Sequence, residues 1–170
     1  MAVSIRMDSN LVAVQRVFTS IRRLGANPQP LLQQIAFYGE NSTRERFSTQ
    51  TDPDGQRWKP SLRALHNGGK TLTKDGHLGD SITSQADSEA AEWGTNRIYA
   101  AVHQFGATIA TKAGQYLRFA IPGFGWVSKR QVKIEARAFL GLSAEDSSEI
   151  LDMAADHITQ LIRRSAAGGA

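Results

Sequence analysis

Asp52-Pro53-Asp54-Gly55-Gln56-Arg57-Trp58-Lys59-Pro60, preceded by Arg46-Phe47, is the stretch on which the reading of this chain turns. Pro53 presets φ, Asp54 can bond its own backbone and Gly55 can take a positive φ, so Pro-Asp-Gly predicts a tight turn. The turn stands where a helical pattern stops, and it delivers Trp58 between two basic residues. Phe47, Asp54, Gly55, Trp58 and Pro60 are therefore read as a structural joint that ties N-terminal helices to the body behind them. An ordinary loop holding a partly buried tryptophan is the plainer alternative.

Upstream of the joint, Val3, Ile5 and Met7 alternate with polar residues and predict a short edge strand, with Asp8-Ser9 as the N-cap of a helix. Leu11, Val14, Phe18 and Ile21 recur at helical spacing, and Gly25 supplies the stop. Asn27-Pro28-Gln29-Pro30 breaks the chain before a second helix with Leu31, Leu32, Ile35 and Ala36. Its far end, with Glu40, Arg44, Glu45 and Arg46, turns polar and is read as a surface projecting into solvent, the two helices forming an antiparallel pair.

Downstream, residues 61–66 predict one short helical turn. Gly69-Lys70-Thr71 imitates the end of a phosphate-binding loop, but the earlier glycine falls on Ala64 and no buried strand precedes it, so no nucleotide site is assigned. Ser81, Ile82, Thr83 and Ser84 and then residues 90–94 predict a hairpin, and Ile98 to Phe105 a short helix closed by Gly106. Residues 107–115 read as a small, polar loop with Lys112 near its tip. Residues 116–121 predict a strand, and Val132 and Ile134 another. Between them, Pro122-Gly123-Phe124-Gly125-Trp126 places two aromatics on a glycine-rich backbone, to be tucked into the core or used against a partner. Ser143-Ala144-Glu145-Asp146 starts a last helix, with an apolar stripe of Ile150, Leu151, Ala154, Ile158, Leu161 and Ile162.

The fold class predicted is α+β, a mostly antiparallel sheet packed with two N-terminal helices and a long C-terminal helix. It is read as a single domain over 1–164 with a flexible tail at 165–170. The chain of 170 residues is long enough for a real core, carries no cysteine and so has no disulfide framework or thiolate site. No stretch is long and apolar enough for a signal peptide or a bilayer span, so a soluble protein is expected. The net charge of +4 is scattered in singles and pairs such as Arg22-Arg23, Lys129-Arg130 and Arg163-Arg164. Such scatter suits a solvated surface or charged subunit contacts better than a nucleic-acid stripe.

Catalysis finds little support. His66, His77, His103 and His157 lie in unrelated contexts without paired metal-ligand spacing, there is no Gly-x-Ser-x-Gly elbow, and Asp52, Asp54, Asp75 and Asp80 are each explained by a turn. No enzyme activity, cofactor or metal is expected.

The order of motifs is more telling than any one of them. Phe47 is followed by Asp54-Gly55 with Trp58 and Pro60, then Gly76-x-Leu78, then Tyr99-Ala100 with His103-Gln104-Phe105-Gly106, then Ala136-Arg137 with Phe139-Leu140-Gly141. This series resembles the phage virion morphogenesis family, with its tail-completion proteins of Mu-like phages, over nearly the whole chain. One departure is that Glu135 and Ala138 stand where the family often has prolines around the Ala-Arg pair. The resemblance implies a non-enzymatic virion protein of the head-tail connector, or neck, assembled in the bacterial host cytoplasm and needed when tails join DNA-filled heads. It implies a homo-oligomeric ring, six-fold if it matches a tail tube, whose partners are itself and other neck and tail proteins, with DNA only passing through the lumen and no membrane. A head-bound adaptor, a tail terminator and an assembly chaperone are the alternatives. His103, Gln104, Phe105, Lys112, Phe124, Trp126, Arg137 and Phe139 are the expected contact residues of that ring.

Overall fold

The computed structural model describes residues 12–23, 27–112, 114–121 and 123–167. The expected N-terminal edge strand, the Asp8-Ser9 cap and the Gly25 stop lie outside the described residues. The fold is α+β, with every strand pairing antiparallel and a long helix at the C-terminal end. Among the described residues the strands form three separate two-stranded ladders, where one sheet was expected.

By contacts the described chain divides into two compact units. One holds residues 12–42, Thr83–Gly94 and 142–167; the other holds Thr43–Ile82 and Thr95–Gly141. Helix α2 (Gln29–Thr49) contributes its first two thirds to the former and its last turns to the latter.

The first unit is built from α1 (Val12–Arg23), the start of α2, the hairpin β1 (Thr83–Ala86) and β2 (Ala91–Gly94), and α6 (Ala144–Ala167). Its core is Ile21, Leu31, Ile35, Ile150 and Ala154, the apolar positions that recur every three or four residues on their helices. Asp87 closes the hairpin by accepting hydrogen bonds from the Glu89 and Ala90 amides at 2.7 and 2.9 Å. Helix α6 opens on a reciprocal cap. The Asp146 amide donates to Ser143 Oγ at 2.9 Å, and the Ser143 amide donates to Asp146 Oδ2 at 2.7 Å. The helix continues through Ala167, into the stretch where a tail was expected to begin at Ser165. Burial, and then the neighbouring Asp146 carboxylate, push the Tyr38 phenol up to about 12.

Gly39 marks the tightest approach in this unit, because a Cβ there would lie 2.5 Å from the Trp93 indole. Gly39→Ala is therefore expected to destabilise by about 1–3 kcal/mol, although alanine in a helix interior gains about 1 kcal/mol over glycine. Urea unfolding checks the sign; a more stable variant refutes the close contact.

The second unit contains the end of α2, α3 (Leu62–Asn67), α4 (His77–Asp80), α5 (Ala100–Phe105), and two further ladders. β3 (Ala107–Ala110) pairs with β6 (Gln131–Ile134), and β4 (Leu117–Ile121) with β5 (Gly125–Lys129). Residues 107–110 are thus a strand where a loop was expected, since their register against β6 supplies the pairing that their small side chains do not advertise. β5 likewise replaces an expected glycine-rich loop. The two ladders run in series as one ribbon, β3–β6 its stem and β4–β5 its tip. At the offset between the two ladders Thr111 donates its amide to the Arg130 carbonyl at 3.0 Å.

Candidate functional site

The joint is built from the end of α2 outward. Gln50 takes φ 62° just past the helix, so the chain reverses there. Its side-chain amide then donates to the Phe47 and Thr71 carbonyls at 2.7 and 3.1 Å and accepts the Thr71 amide at 2.5 Å. The turn that follows is organised by Asp52, where the sequence pointed to Asp54. Asp52 Oδ1 accepts the Asp54 and Gln56 amides at 3.0 and 2.8 Å, because the residue before Pro53 occupies the first position of the turn. Gly55 has φ 77°, and Asp54, Gly55 and Pro60 lie exposed. The Trp58 amide returns to the Gln50 carbonyl at 2.8 Å.

Trp58 and Phe47 are buried, with ring centroids 5.4 Å apart and planes at 76°, and Phe47 also lies 5.4 Å from the Phe139 ring. The indole N–H donates to the Ala138 carbonyl at 2.8 Å. Around these rings three long polar side chains are turned inward. Arg46, read from sequence as part of a solvated surface, is buried and donates from Nη1 to the Phe139 and Gly141 carbonyls, both at 2.9 Å. Gln104 donates to the Leu140 carbonyl at 2.8 Å while its oxygen accepts the Phe139 and Leu140 amides at 3.0 Å. Arg137 donates from Nε to the Lys59 carbonyl at 2.7 Å, and its amide donates to the His103 carbonyl at 2.7 Å.

The common reason is that residues 135–141 carry no strand or helix, so their backbone groups need side-chain partners once buried. Gln104, Arg137 and Phe139, expected at a subunit contact, are consequently occupied inside the subunit. Gly106 belongs to the same arrangement: it has φ 72°, and a Cβ there would stand 2.9 Å from the Ala136 nitrogen.

His103 is half-buried and forms an edge contact with Tyr99 at 6.0 Å. Burial first, and the Arg137 charge second, depress its pKa below the ordinary histidine range. The unfolded chain then takes up a proton at His103 before the folded chain does. The stability tied to a neutral His103 is present above about pH 6.5 and is lost as pH falls below it. His103→Gln should remove that dependence. The wild-type midpoint in urea should fall more steeply than the variant's between neutral and mildly acidic pH, and parallel curves would refute the assignment.

The remaining candidates lie together on the ribbon or near its stem. Phe105 is exposed at the end of α5 and Lys112 in the offset between the ladders. Phe124 and Trp126 keep 80% and 76% of their surface exposed, resolving the choice between core and surface in favour of the surface. In the tip register Ala120 faces Trp126 and Arg118 faces Ser128, which puts Arg118 diagonal to Trp126 on one exposed face. Tyr116, two residues before Arg118, is exposed too, with the Arg130 guanidinium 5.6 Å from its ring centre. Phe124 and Trp126 were singled out from sequence, whereas Tyr116 and Arg118 were missed, because residues 116–121 read as a strand without showing which of its sides faces outward. Among the described residues no three His, Asp or Glu side chains gather closely enough to hold a metal ion, and no helix is long and apolar enough to cross a membrane.

The sequence profile of the phage virion morphogenesis family matches residues 9–159. The "Mu-like prophage FluMu G protein 2" of Haemophilus influenzae is 32% identical over 152 residues, covering 88% of this chain and 94% of that protein. The "Putative capsid assembly protein G" of Escherichia phage Mu is 27% identical over 170 residues, covering 93% and 99%. No solved structure matches the chain at a significant level.

Proposed function

The chain belongs to the phage virion morphogenesis family, and we propose that it serves there as a structural subunit of the neck, a tail-completion protein whose ring joins the tail to the DNA-filled head. One observation carries this reading. The polar side chains of the family-like motifs are spent on internal carbonyls and amides, whereas Tyr116, Phe124 and Trp126 are held outward on a ribbon with cations beside them. Groups committed to structure are poorly placed for chemistry, and exposed Trp, Tyr and Phe next to Arg are the residues that anchor protein contacts. The subunit is on this reading a binding body rather than a catalyst. Its partners are further copies of itself, as a ring that is six-fold where it matches a tail tube, and other neck and tail proteins, with DNA passing through the lumen. It assembles in the host cytoplasm and remains in the virion.

Electron microscopy of particles made without the protein tests the role. Filled heads and finished tails should accumulate unjoined, and normal joining would overturn it. Labelling purified heads and purified tails separates a head-bound adaptor from a tail terminator, and absence from finished particles would identify an assembly chaperone.

A further inference from the structure

The tip ladder β4–β5 has no third strand among the described residues, and its exposed face carries Arg118 and Trp126 with Phe124 at the turn. A lone two-stranded ladder is marginal in water and gains from a covering surface. The charge pattern of the chain indicates which surface. From residue 107 to residue 134 there are five cations, Lys112, Arg118, Lys129, Arg130 and Lys133, and no carboxylate. From residue 138 to residue 162 the pattern is the reverse, with acids and no lysine or arginine.

On α6, Glu145, Glu149, Asp152 and Asp156 are all exposed and follow one another at steps of four, three and four, which aligns them on one face of the helix. That row is about 16 Å long at the helical rise. Resting on the neck-ring reading for its geometry, we infer that the tip ladder of one copy docks on this acidic face of α6 of a second copy. The two surfaces differ, so the contact is heterologous and repeats around a closed ring. Single-stranded nucleic acid would also suit aromatics beside arginines, but it would leave the matched acidic row without a role.

The test uses the purified full chain, half of it isotopically labelled, coupled with a zero-length carbodiimide and analysed by peptide mass spectrometry. Mixed-isotope links from a lysine of the ribbon to Glu149, Asp152 or Asp156 are expected. Trp126→Ala should weaken self-association about 30-fold. Arg118→Glu/Arg130→Glu and Glu149→Lys/Asp152→Lys should each weaken it by about tenfold or more when alone and recover it when mixed. No mixed-isotope link at about 1 mM chain, where even a weak contact is half occupied, overturns the inference. So do links that avoid α6, or binding of a single-stranded oligonucleotide to the ribbon that Glu149→Lys leaves unchanged while self-association is absent. The neck reading fails separately. A protein located elsewhere in the particle but linked through α6 sinks that reading alone, and a neck protein without the link sinks only this contact.

Discussion

Trp58→Ala is expected to lower the unfolding free energy by about 3–5 kcal/mol. The indole is almost wholly buried, meets Phe47 edge-on, and spends its N–H on the Ala138 carbonyl. Alanine removes the ring from between Phe47 and residues 138–139 and leaves that carbonyl without its donor. Trp58→Phe separates the two contributions, since it keeps an aromatic ring and loses the hydrogen bond, a change of about 1–2 kcal/mol. Fewer joined particles should follow from Trp58→Ala through reduced folded protein, and lower temperature during assembly should recover part of the yield. Urea unfolding of the purified variant decides the matter. A variant as stable as wild type that still blocks assembly would make Trp58 a contact residue and remove it from the joint.

The turn and the buried Phe47 and Trp58 were legible because turn chemistry and aromatic placement are local. Pro53 and Gly55 announce the reversal, and the Ser143 cap and the apolar stripes of α2 and α6 announce their helices in the same way. What was not legible depended on partners distant in the chain. Arg46 lies at the polar end of α2, and its polarity alone points to solvent. Its burial follows from the carbonyls of Phe139 and Gly141, more than ninety residues later, which have no strand to bond. β3 was hidden for a related reason, because Ala107-Thr108-Ile109-Ala110 has little strand character until Gln131–Ile134 is set beside it. One signal was available: residues 135–141 join buried Phe139 and Leu140 without helical or alternating period, and a buried segment of that kind requires side chains to satisfy its backbone. Long polar residues in the nearby motifs, Gln104 and Arg137 above all, were the natural suppliers. The exposed ribbon face was half legible, through its aromatics, but which face they occupy follows only from the register.

The adjacent pair Gln104-Phe105 offers the sharpest contrast between a residue that holds the subunit together and one that faces outward. Gln104→Met keeps the length and most of the volume of the side chain, so its cost reports hydrogen bonds rather than packing. Three buried or nearly buried backbone groups lose their partner together: the Phe139 amide, the Leu140 amide and the Leu140 carbonyl. Each orphaned group costs about 1–3 kcal/mol, and allowing for relaxation of the segment, a total near 3–5 kcal/mol is expected. Hydrogen exchange supplies a local readout, with the Phe139 and Leu140 amides accelerating before the core of the other unit does. Phe105→Ala, one residue away but mostly exposed, should change stability by no more than about 0.5 kcal/mol. If Gln104→Met unfolds within 1 kcal/mol of wild type, a threshold well below the cost of even two lost bonds, then the amide does not hold residues 139–140. The inward placement of the His-Gln-Phe-Gly motif would then lose its physical basis, and Gln104 would return to the list of residues available to a neighbouring subunit.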